Sequence, residues 1–483
     1  MFKHAVTQEV AYNSLLSQKK KEIHEKIGAA IEEVRGEKLE EFFEMLAHHY
    51  SKTDNFEKAY HFLKVAGDKV MRNNSASEAF GYYKEALSVL KKLPESQENR
   101  RKQLAVIHNM LIPIIVLGFP EGSLSVLQEG EKIATALDDK KSLIRFYSNM
   151  GMYHSTSGRQ TEGRKYSGKA FEEAEKIQDV ESMAHSGPDI VLSYVAEGDY
   201  KRAIDLGTRV TNLIEKTHTE KETFGGPANV YPAMFAGRGY GTGMLGDFEG
   251  ALNFCEKALT DSVSFGNTLT QGISEYYYAY VFMNRGDWEM AKVHLQKSIK
   301  LCEEASFLQP LALIWSGLGL SDAALGDPER GRTYVEKGLK IHRDAHVEWN
   351  TSIHFYSLSI CHYFAGDLGK AIDLMKEAYA LSEKSNERHS TGKSLIWLGR
   401  MTGKEDSQKE NEAVETIQRG LKILNALETK PDVAIAHLFL GELYWDLGRA
   451  DRASGFLKEA AKMFEEMGME YWLVKTQEVL GRL

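Results

Sequence analysis

The stretch GDLGKAIDLMKEAY, residues 366–379, decides the fold of this 483-residue chain. Gly366 and Asp367 form a turn signal, and apolar side chains follow it at helical spacing. These are Ile372, Leu374, Met375 and Tyr379, with lysine, aspartate and glutamate at the positions between them. A period of 3.6 residues predicts an amphipathic helix that begins after the turn and buries one face.

The same turn recurs along the chain at a nearly fixed interval. Turn glycines occur at 118, 158, 198, 246, 286, 326 and 366, separated by 40, 40, 48, 40, 40 and 40 residues. From Gly366 to Gly448 the distance is 82 residues, which is two more periods with a short insertion near residues 403–411. Self-similarity at roughly 20–50 residues is typical of a solenoid, in which each unit buries its apolar face against the next.

Small side chains occupy fixed positions on both sides of most turns, and Val191, seven residues before Gly198, is the exception. Seven residues before the turn glycine stand Gly151, Gly239, Ala279, Gly319, Ser359 and Gly441. Five residues after it stand Gly163, Ala203, Ala251, Ala291, Gly331, Ala371 and Ala453. Because small residues let two antiparallel helices approach closely, each unit is predicted to be a helical hairpin. The expected fold class is therefore all-α, an α-solenoid of antiparallel helix pairs with a period of about 40 residues.

Two units carry the fullest version of the pattern. These are LGELY at residues 440–444, followed by Gly448, Ala453 and Ala460, and WSGLG at residues 315–319, followed by Gly326. This pattern resembles the tetratricopeptide repeat (TPR) family of long-repeat type, over roughly residues 40–483. The resemblance implies a right-handed solenoid that offers a surface to a protein partner. The chain departs from the family in its period, about 40 rather than roughly 34 residues, and in lacking the proline that usually closes the second helix.

The first 36 residues do not follow the repeat. FKHAVTQEVAYNSLL at residues 2–16 and LAHHY at residues 46–50 resemble a junction in large bacterial signalling ATPases. In those proteins the junction links the ATPase module to a C-terminal TPR arm, and many of them also carry a class III adenylate or guanylate cyclase domain. The resemblance implies that this chain is the regulatory arm of a longer architecture. No Walker A loop, Walker B strand or cyclase metal-binding pair occurs in the sequence.

The breaks in the repeat predict the domain organisation. Gly225-Gly226-Pro227 and Pro232 coincide with the single 48-residue interval, so the array is expected to bend there. We expect a helical linker, an N-terminal TPR subsolenoid, a loop or bend, and a C-terminal TPR subsolenoid, at residues 1–36, 37–217, 218–232 and 233–483.

Composition disfavours several classes of function. Sixty basic against 69 acidic side chains give a formal charge of −9, which disfavours generic binding to nucleic acid or to an anionic membrane. The three cysteines, Cys255, Cys302 and Cys361, form no C-x-x-C motif and no even set, which indicates a reducing compartment. Residues 1–16 contain no apolar core of the kind a secretory signal needs. We therefore expect a cytoplasmic protein.

Two short motifs look like nucleotide-binding loops but lack the required context. GTGMLG at residues 241–246 satisfies G-x-G-x-x-G, yet the repeat register places it at the end of a first helix rather than after a strand. GKS at residues 392–394 lacks the glycine that a phosphate-binding loop needs five residues earlier, where Glu387 stands. Packing is the better interpretation of both motifs.

The sequence predicts no catalytic chemistry. His24, His48 and His49 have no second ligand cluster at metal spacing, so zinc is not expected. No hydrolase, metalloprotease or Cys/His nucleophile motif occurs. We expect no catalytic, cofactor-binding or metal-binding residues, no cofactor, and no enzyme activity in this chain.

Aromatic residues predict a binding surface. First-helix residues line the inner, concave face of TPR arrays, and the resemblance places them about ten, six and three residues before each turn glycine. Those positions hold Tyr240, Tyr276, Tyr280, Met283, Tyr356 and Tyr363, together with Ile360. Tyrosines in a groove give contact area at low entropic cost and carry a hydroxyl group. The alternative interpretation is that the interior of a solenoid is simply rich in aromatic residues.

Arg238 is a charged residue in an apolar column. Other units have Met150, Ile190, Leu318, Leu358 or Leu440 at this position. The arginine could extend its head group to solvent, pair with an acid, or bind an anion. It is therefore a candidate anion contact beside the glycine-rich segment.

Three functions remain open at this point. The leading hypothesis is a non-catalytic scaffold whose concave face binds a peptide, a helix or a partner domain, with no nucleic acid or membrane partner. The second makes the chain the sensor arm of an ATPase or nucleotide cyclase, whose own upstream domains are the partner. The third is a TPR regulator that senses a small molecule through an anion pocket at Arg238.

Overall fold

The computed structural model describes residues 16–345, 347 and 349–483, and these fold into helices α1–α23. Contacts group the chain into two compact units. The first contains the described residues up to Leu117 together with Glu121–Leu143, and the second contains Gly118–Pro120 and Ile144–Leu483. No strand occurs in the described residues. The predicted fold class, an all-α right-handed solenoid of antiparallel helix pairs, is confirmed.

Of the two segments that resemble the ATPase junction, residues 46–50 lie in the second helix of the first unit, and residues 2–15 lie outside the described residues. The helices are α1 (Ser17–Arg35), α2 (Phe43–Tyr50), α3 (Phe56–Arg72), α4 (Ala76–Leu90), α5 (Gln97–Val116) and α6 (Ser123–Ala136). A 3₁₀ helix, Gly36–Phe42, joins α1 to α2. The predicted linker over residues 1–36 stays a prediction.

The second unit holds most of α7 and all the helices that follow it. The first of these are α7 (Lys140–Thr156), α8 (Gln160–Lys176), α9 (Val180–Glu197), α10 (Tyr200–Thr217), α11 (Val230–Met244), α12 (Phe248–Phe265), α13 (Thr268–Arg285) and α14 (Trp288–Glu304). Next come α15 (Leu308–Ala324), α16 (Pro328–Asp344), α17 (Thr351–Phe364), α18 (Leu368–Lys384), α19 (Arg388–Glu405), α20 (Glu410–Ala426), α21 (Lys430–Asp446), α22 (Ala450–Met467) and α23 (Glu470–Leu480). None of the described helices combines the length and the apolar character that crossing a bilayer requires.

Residues 218–229 form a non-helical connection between α10 and α11. This connection falls where a loop was expected, and it lies inside the second compact unit. The predicted division of the repeats into subsolenoids at residues 218–232 stays a prediction.

The glycine–aspartate turn works through its backbone. Gly198 ends α9 with φ +80°, a left-handed conformation that glycine adopts without strain. The next residue, Asp199, is the N-cap of α10, and its Oδ1 accepts a hydrogen bond from the Arg202 N–H at 3.2 Å. Asp247 and Asp367 cap α12 and α18 in the same way. One residue pair thus stops the first helix of a hairpin and starts the second.

The small-residue columns bring the two helices of a hairpin into close contact. A Cβ placed on Gly319 in α15 would lie 2.4 Å from the Gly331 carbonyl oxygen and 2.6 Å from Val335 Cγ2 in α16. Because backbone atoms cannot move away as a flexible side chain can, only glycine fits at this crossing.

Gly319→Ala is therefore expected to destabilise the second unit by about 1–3 kcal/mol, the usual effect of overpacking. The matched control is Gly455→Ala in the middle of α22, where an added Cβ would have no atom within 4 Å among the described residues. That change should stabilise the protein by about 0.5–1 kcal/mol, since alanine favours the helix more than glycine does. Denaturant unfolding of both variants measures the difference, and equal effects would contradict the close crossing.

The second unit closes upon itself. Three early turn glycines contact the C-terminal part of the chain. A Cβ added to Gly198 would lie 2.9 Å from Leu427 Cδ1, and one added to Gly246 would lie 2.8 Å from Met467 Sδ. A Cβ added to Gly286 would lie 3.0 Å from Trp472 Cδ1. An ion pair between Lys201 and Glu428 at 2.6 Å lies beside the first of these contacts. By contrast, added Cβ atoms on Gly326, Gly366 and Gly448 would meet nothing within 4 Å among the described residues. We call the three covered turns and their partners Leu427, Met467 and Trp472 the closing seam.

Candidate functional site

The closed second unit contains a cavity on its inner side. Its walls come from α9, α11, α13, α15, α17, α19 and α21, the first helices of successive hairpins, and from Tyr471 and Trp472 of α23. The cavity has an open volume of about 150 Å³. An apolar cavity of this size holds a molecule comparable to a single aromatic ring.

Most of the sequence-predicted binding residues meet in this cavity. Those on its wall are Tyr240, Tyr276, Tyr280, Met283 and Tyr356, and Ile360 lines it as well. Tyr363 lies outside the lining, packed against Trp397 at 5.6 Å between ring centroids. Lys404 covers its other side, with Nζ 3.3 Å from the Tyr363 hydroxyl group. The column three residues before the glycine therefore faces the cavity at Met283 but not at Tyr363.

The tyrosines form a continuous aromatic wall. Ring centroids of Tyr276 and Tyr280 are 4.7 Å apart, and those of Tyr240 and Tyr280 are 6.4 Å apart. The Tyr280 hydroxyl group donates a hydrogen bond to the Leu313 carbonyl oxygen at 3.3 Å. Burial raises the pKa of Tyr277 to about 12 and also raises the pKa values of Tyr240, Tyr276, Tyr280 and Tyr356. These hydroxyl groups therefore stay protonated and neutral near pH 7.

One side of the cavity carries a polar corner made of His389, Lys393 and Asp432. Asp432 Oδ2 lies 2.7 Å from His389 Nε2, and Asp432 Oδ1 lies 3.8 Å from Lys393 Nζ. Burial works to raise the pKa of Asp432, but Lys393 and His389 outweigh it and hold that pKa below its ordinary value. Asp432 is therefore an ionised carboxylate whose charge is matched inside the corner.

Three tryptophans line the cavity, and two of them, Trp288 and Trp472, lie at the closing seam. Trp288, Trp349 and Trp472 all line the cavity, and among the described residues their buried Nε1 atoms have no hydrogen-bond partner. An unpaired buried donor typically costs about 1–3 kcal/mol. Two of these unpaired donors, on Trp288 and Trp472, lie at the closing seam.

Arg238 lies outside the cavity lining. Its guanidinium carbon is 4.8 Å from the Phe235 ring centroid and 4.4 Å from that of Phe254, and Nη1 donates to Thr211 Oγ1 at 3.1 Å. Burial lowers the pKa of Arg238. The arginine fills its apolar column by stacking between two rings, so its role as an anion contact stays a prediction without a link to the cavity.

The two glycine motifs lie in helical packing. Gly241 and Gly243 belong to α11, where a Cβ on Gly243 would lie 3.4 Å from Ala251 Cβ of the paired helix. Gly392 and Lys393 lie in the second turn of α19 and do not form a loop before it. Neither motif has the geometry of a phosphate-binding loop.

Sequence reasoning missed the polar corner and the tryptophans. In the sequence, Lys393 belongs to the incomplete phosphate-loop motif, whereas in the structure its side chain lines the cavity. His389 and Asp432 lie 43 residues apart, about one repeat period, which is the signal that could have paired them. In the part of the chain that the structure describes, no group of three or more His, Cys, Asp and Glu side chains is arranged to hold a metal ion.

Comparisons with known proteins identify the repeat. Models of the tetratricopeptide repeat match residues 310–384 and 434–457. A search of curated proteins gave no match.

Two solved structures are similar to this chain. A Rap protein complexed with competence and sporulation factor is 14% identical, with a TM-score of 0.46, and the match covers 85% of this chain and 98% of that one. The apo form of the quorum sensor NprR from B. thuringiensis is 11% identical, with a TM-score of 0.47, and the match covers 76% of this chain and 99% of that one. The chain thus contains tetratricopeptide repeats at residues 310–384 and 434–457, and the same turn register extends from Gly118 to Gly448.

Proposed function

We propose that this chain is a non-catalytic regulatory protein that binds a ligand in the cavity of its second unit and transmits the change to a protein partner. The observation that carries the proposal is the convergence of five sequence-predicted residues, from three different helices, on one cavity. A ligand that contacts successive first helices at once would alter how the hairpins stack. Stacking is the property on which a repeat protein's surface depends.

The size of the cavity favours a small molecule as the ligand. A peptide or helix has many times the volume of one aromatic ring, whereas the open space is about 150 Å³. Aromatic walls with a few convergent polar groups are typical of small-molecule sites. Among the three open hypotheses, sensing of a small molecule is thus the best supported, although at the cavity and not at Arg238.

A cavity-filling substitution tests this proposal. Ala324 is the last residue of α15 and lines the cavity while remaining partly exposed, so Ala324→Phe should place a ring in the open space with little strain. We expect the variant to lose small-molecule binding by about tenfold or more, since the added ring competes for the same volume.

The measurement is a thermal-shift screen of a fragment library, followed by calorimetry on the compounds that stabilise the wild-type protein. The control is Ala305→Phe, a partly exposed alanine that follows α14 and lies outside the lining. Ligands that bind both variants and the wild-type protein equally would place the site elsewhere and refute the proposal.

A peptide or partner segment is the second candidate for the same inner surface. The observation in its favour is the pair of unpaired indole N–H groups at Trp288 and Trp472, because a peptide that opened the seam would supply acceptors for these donors. Such a ligand would have to separate Gly286 from Trp472, so peptide binding should raise hydrogen exchange at the seam. A small molecule held in the cavity should lower hydrogen exchange at the seam.

We propose that a protein partner binds the ligand-bound form of this chain. The ATPase or nucleotide cyclase domains of a longer architecture are candidates for this partner. Co-purification of such domains with the wild-type chain but not with Ala324→Phe, in the presence of a cavity ligand, would support the link. Equal capture by both proteins would show that partner binding is independent of the cavity.

A further inference from the structure

The charges around the cavity limit the ligands that it can hold. Apart from tyrosines, the ionisable side chains in the described lining are His389, Lys393 and Asp432. Lys393 and Asp432 carry one positive and one negative charge, 3.8 Å apart. His389 is hydrogen bonded to the same carboxylate at 2.7 Å. Lys393 and Asp432 thus offset each other's charge inside the polar corner.

The walls around this corner offer little to a ligand ion. Lys393 lies 5.2 Å from the centroid of the Tyr356 ring, and Tyr200 stacks edge-on with His389 at 5.8 Å. Asp432 is 4% exposed and His389 is 9% exposed, so bulk water screens them weakly. A ligand carrying one full charge would leave that charge unmatched in a largely apolar cavity, which is strongly unfavourable.

Lys393 nevertheless offers hydrogen-bond donors to a ligand. Its distance of 3.8 Å from Asp432 Oδ1 exceeds hydrogen-bonding distance. An ammonium group has three donors, and a neutral carbonyl or amide oxygen satisfies one of them without adding charge. The adjacent tyrosine hydroxyl groups are protonated and supply further polar contacts.

We propose that the cavity selects an uncharged ligand of about single-ring size that presents a hydrogen-bond acceptor to Lys393. This inference rests on the proposed function, because it specifies the ligand of the same cavity. Asp432 is the residue that sets the selectivity: by neutralising Lys393 it prevents the lysine from recruiting an acid.

The test uses phenylacetamide and phenylacetate, which share a ring and a side-chain shape but differ in charge. Calorimetry at neutral pH should show that the wild-type protein binds the amide about tenfold or more tightly than the acid. Asp432→Asn keeps the size of the side chain and leaves Lys393 unmatched, so it should reverse the preference in favour of the acid. Lys393→Met should weaken amide binding without creating acid binding.

The control is Asp446→Asn, because Asp446 pairs with Arg400 at 2.8 Å and lies outside the cavity lining. It should leave the ratio of the two affinities unchanged, and thermal unfolding of all variants checks that they are folded. Two results would overturn the inference that the cavity selects an uncharged ligand: tighter binding of phenylacetate by the wild-type protein, or an unchanged ratio of the two affinities in Asp432→Asn. Either result would still show that the cavity binds a ligand. Failure of the wild-type protein to bind either probe would overturn the inference on ligand class, and the Ala324→Phe screen then decides separately whether the cavity binds ligands at all.

Discussion

Trp472→Ala is expected to lower the free energy of unfolding of the second unit by about 3–5 kcal/mol, the range for removing a buried tryptophan side chain. Trp472 is 6% exposed and packs over the Gly286 turn at the closing seam. Its neighbour Tyr471 contacts Trp288 at 5.8 Å between ring centroids. Because these contacts join α23 to helices nearly two hundred residues earlier, their loss should open the seam in addition to weakening the core.

Hydrogen exchange measured by mass spectrometry distinguishes opening from general destabilisation. The turns at Gly198, Gly246 and Gly286 should lose protection together in Trp472→Ala, while the crossing of α15 and α16 keeps its protection. Open molecules should also admit larger ligands to the tyrosine wall.

The matched control for this experiment is Phe282→Ala. Phe282 is also 6% exposed, but it packs within its own region, stacked on Tyr278 and His294. A Phe→Ala change costs about the same 3–5 kcal/mol, so the two variants should unfold at similar denaturant concentrations. Only Trp472→Ala should expose all three turns, and unchanged protection at Gly198 and Gly246 would show that the seam does not act as a unit.

Local rules explain why the hairpins were predictable. Gly366 and Asp367 end one helix and begin the next through backbone conformation and a capping hydrogen bond, both of which are encoded by neighbouring residues. Small residues such as Gly319 mark where two helices cross. The positions of Tyr240, Tyr276 and Tyr280 then follow from the register, since every first helix presents equivalent residues to the same side.

Long-range contacts explain why the rest was not predictable. The seam brings Gly286 into contact with Trp472. The repeat pattern describes each helical hairpin, but it does not specify the curvature that brings late helices against early ones. A groove was therefore expected, whereas the structure has a cavity on the inner side of the second unit. Tyr363 does not line the cavity because it packs against Trp397, which does. Arg238 packs against Phe254, which belongs to the neighbouring helix α12.

Mild acid is expected to destabilise the second unit through a buried pair of histidines. His342 Nδ1 and His354 Nε2 share a hydrogen bond, and His354 Nδ1 lies 2.6 Å from Ser316 Oγ. Burial lowers the pKa of His342 to about 4, and burial followed by the charges of His342 and Arg343 lowers that of His354 well below 6.5. Both imidazoles are therefore neutral in the folded protein near pH 7.

The direction of the effect follows from proton linkage. The unfolded chain protonates these histidines near pH 6.5, whereas folded His342 accepts its proton only near pH 4. The stabilisation is complete above pH 6.5 and is lost as the pH falls from there to about 4, where His342 alone accounts for about 3 kcal/mol.

Denaturant unfolding across this range should show the loss. His342→Asn keeps a polar atom near the Nδ1 position and should reduce the number of protons taken up on unfolding by about one. The free energy of unfolding should then depend less steeply on pH, while the exposed control His218→Asn should leave this dependence unchanged. An identical slope in wild-type protein and His342→Asn would mean that acid acts at other groups, because proton uptake on unfolding has to disappear with the residue that takes up the proton.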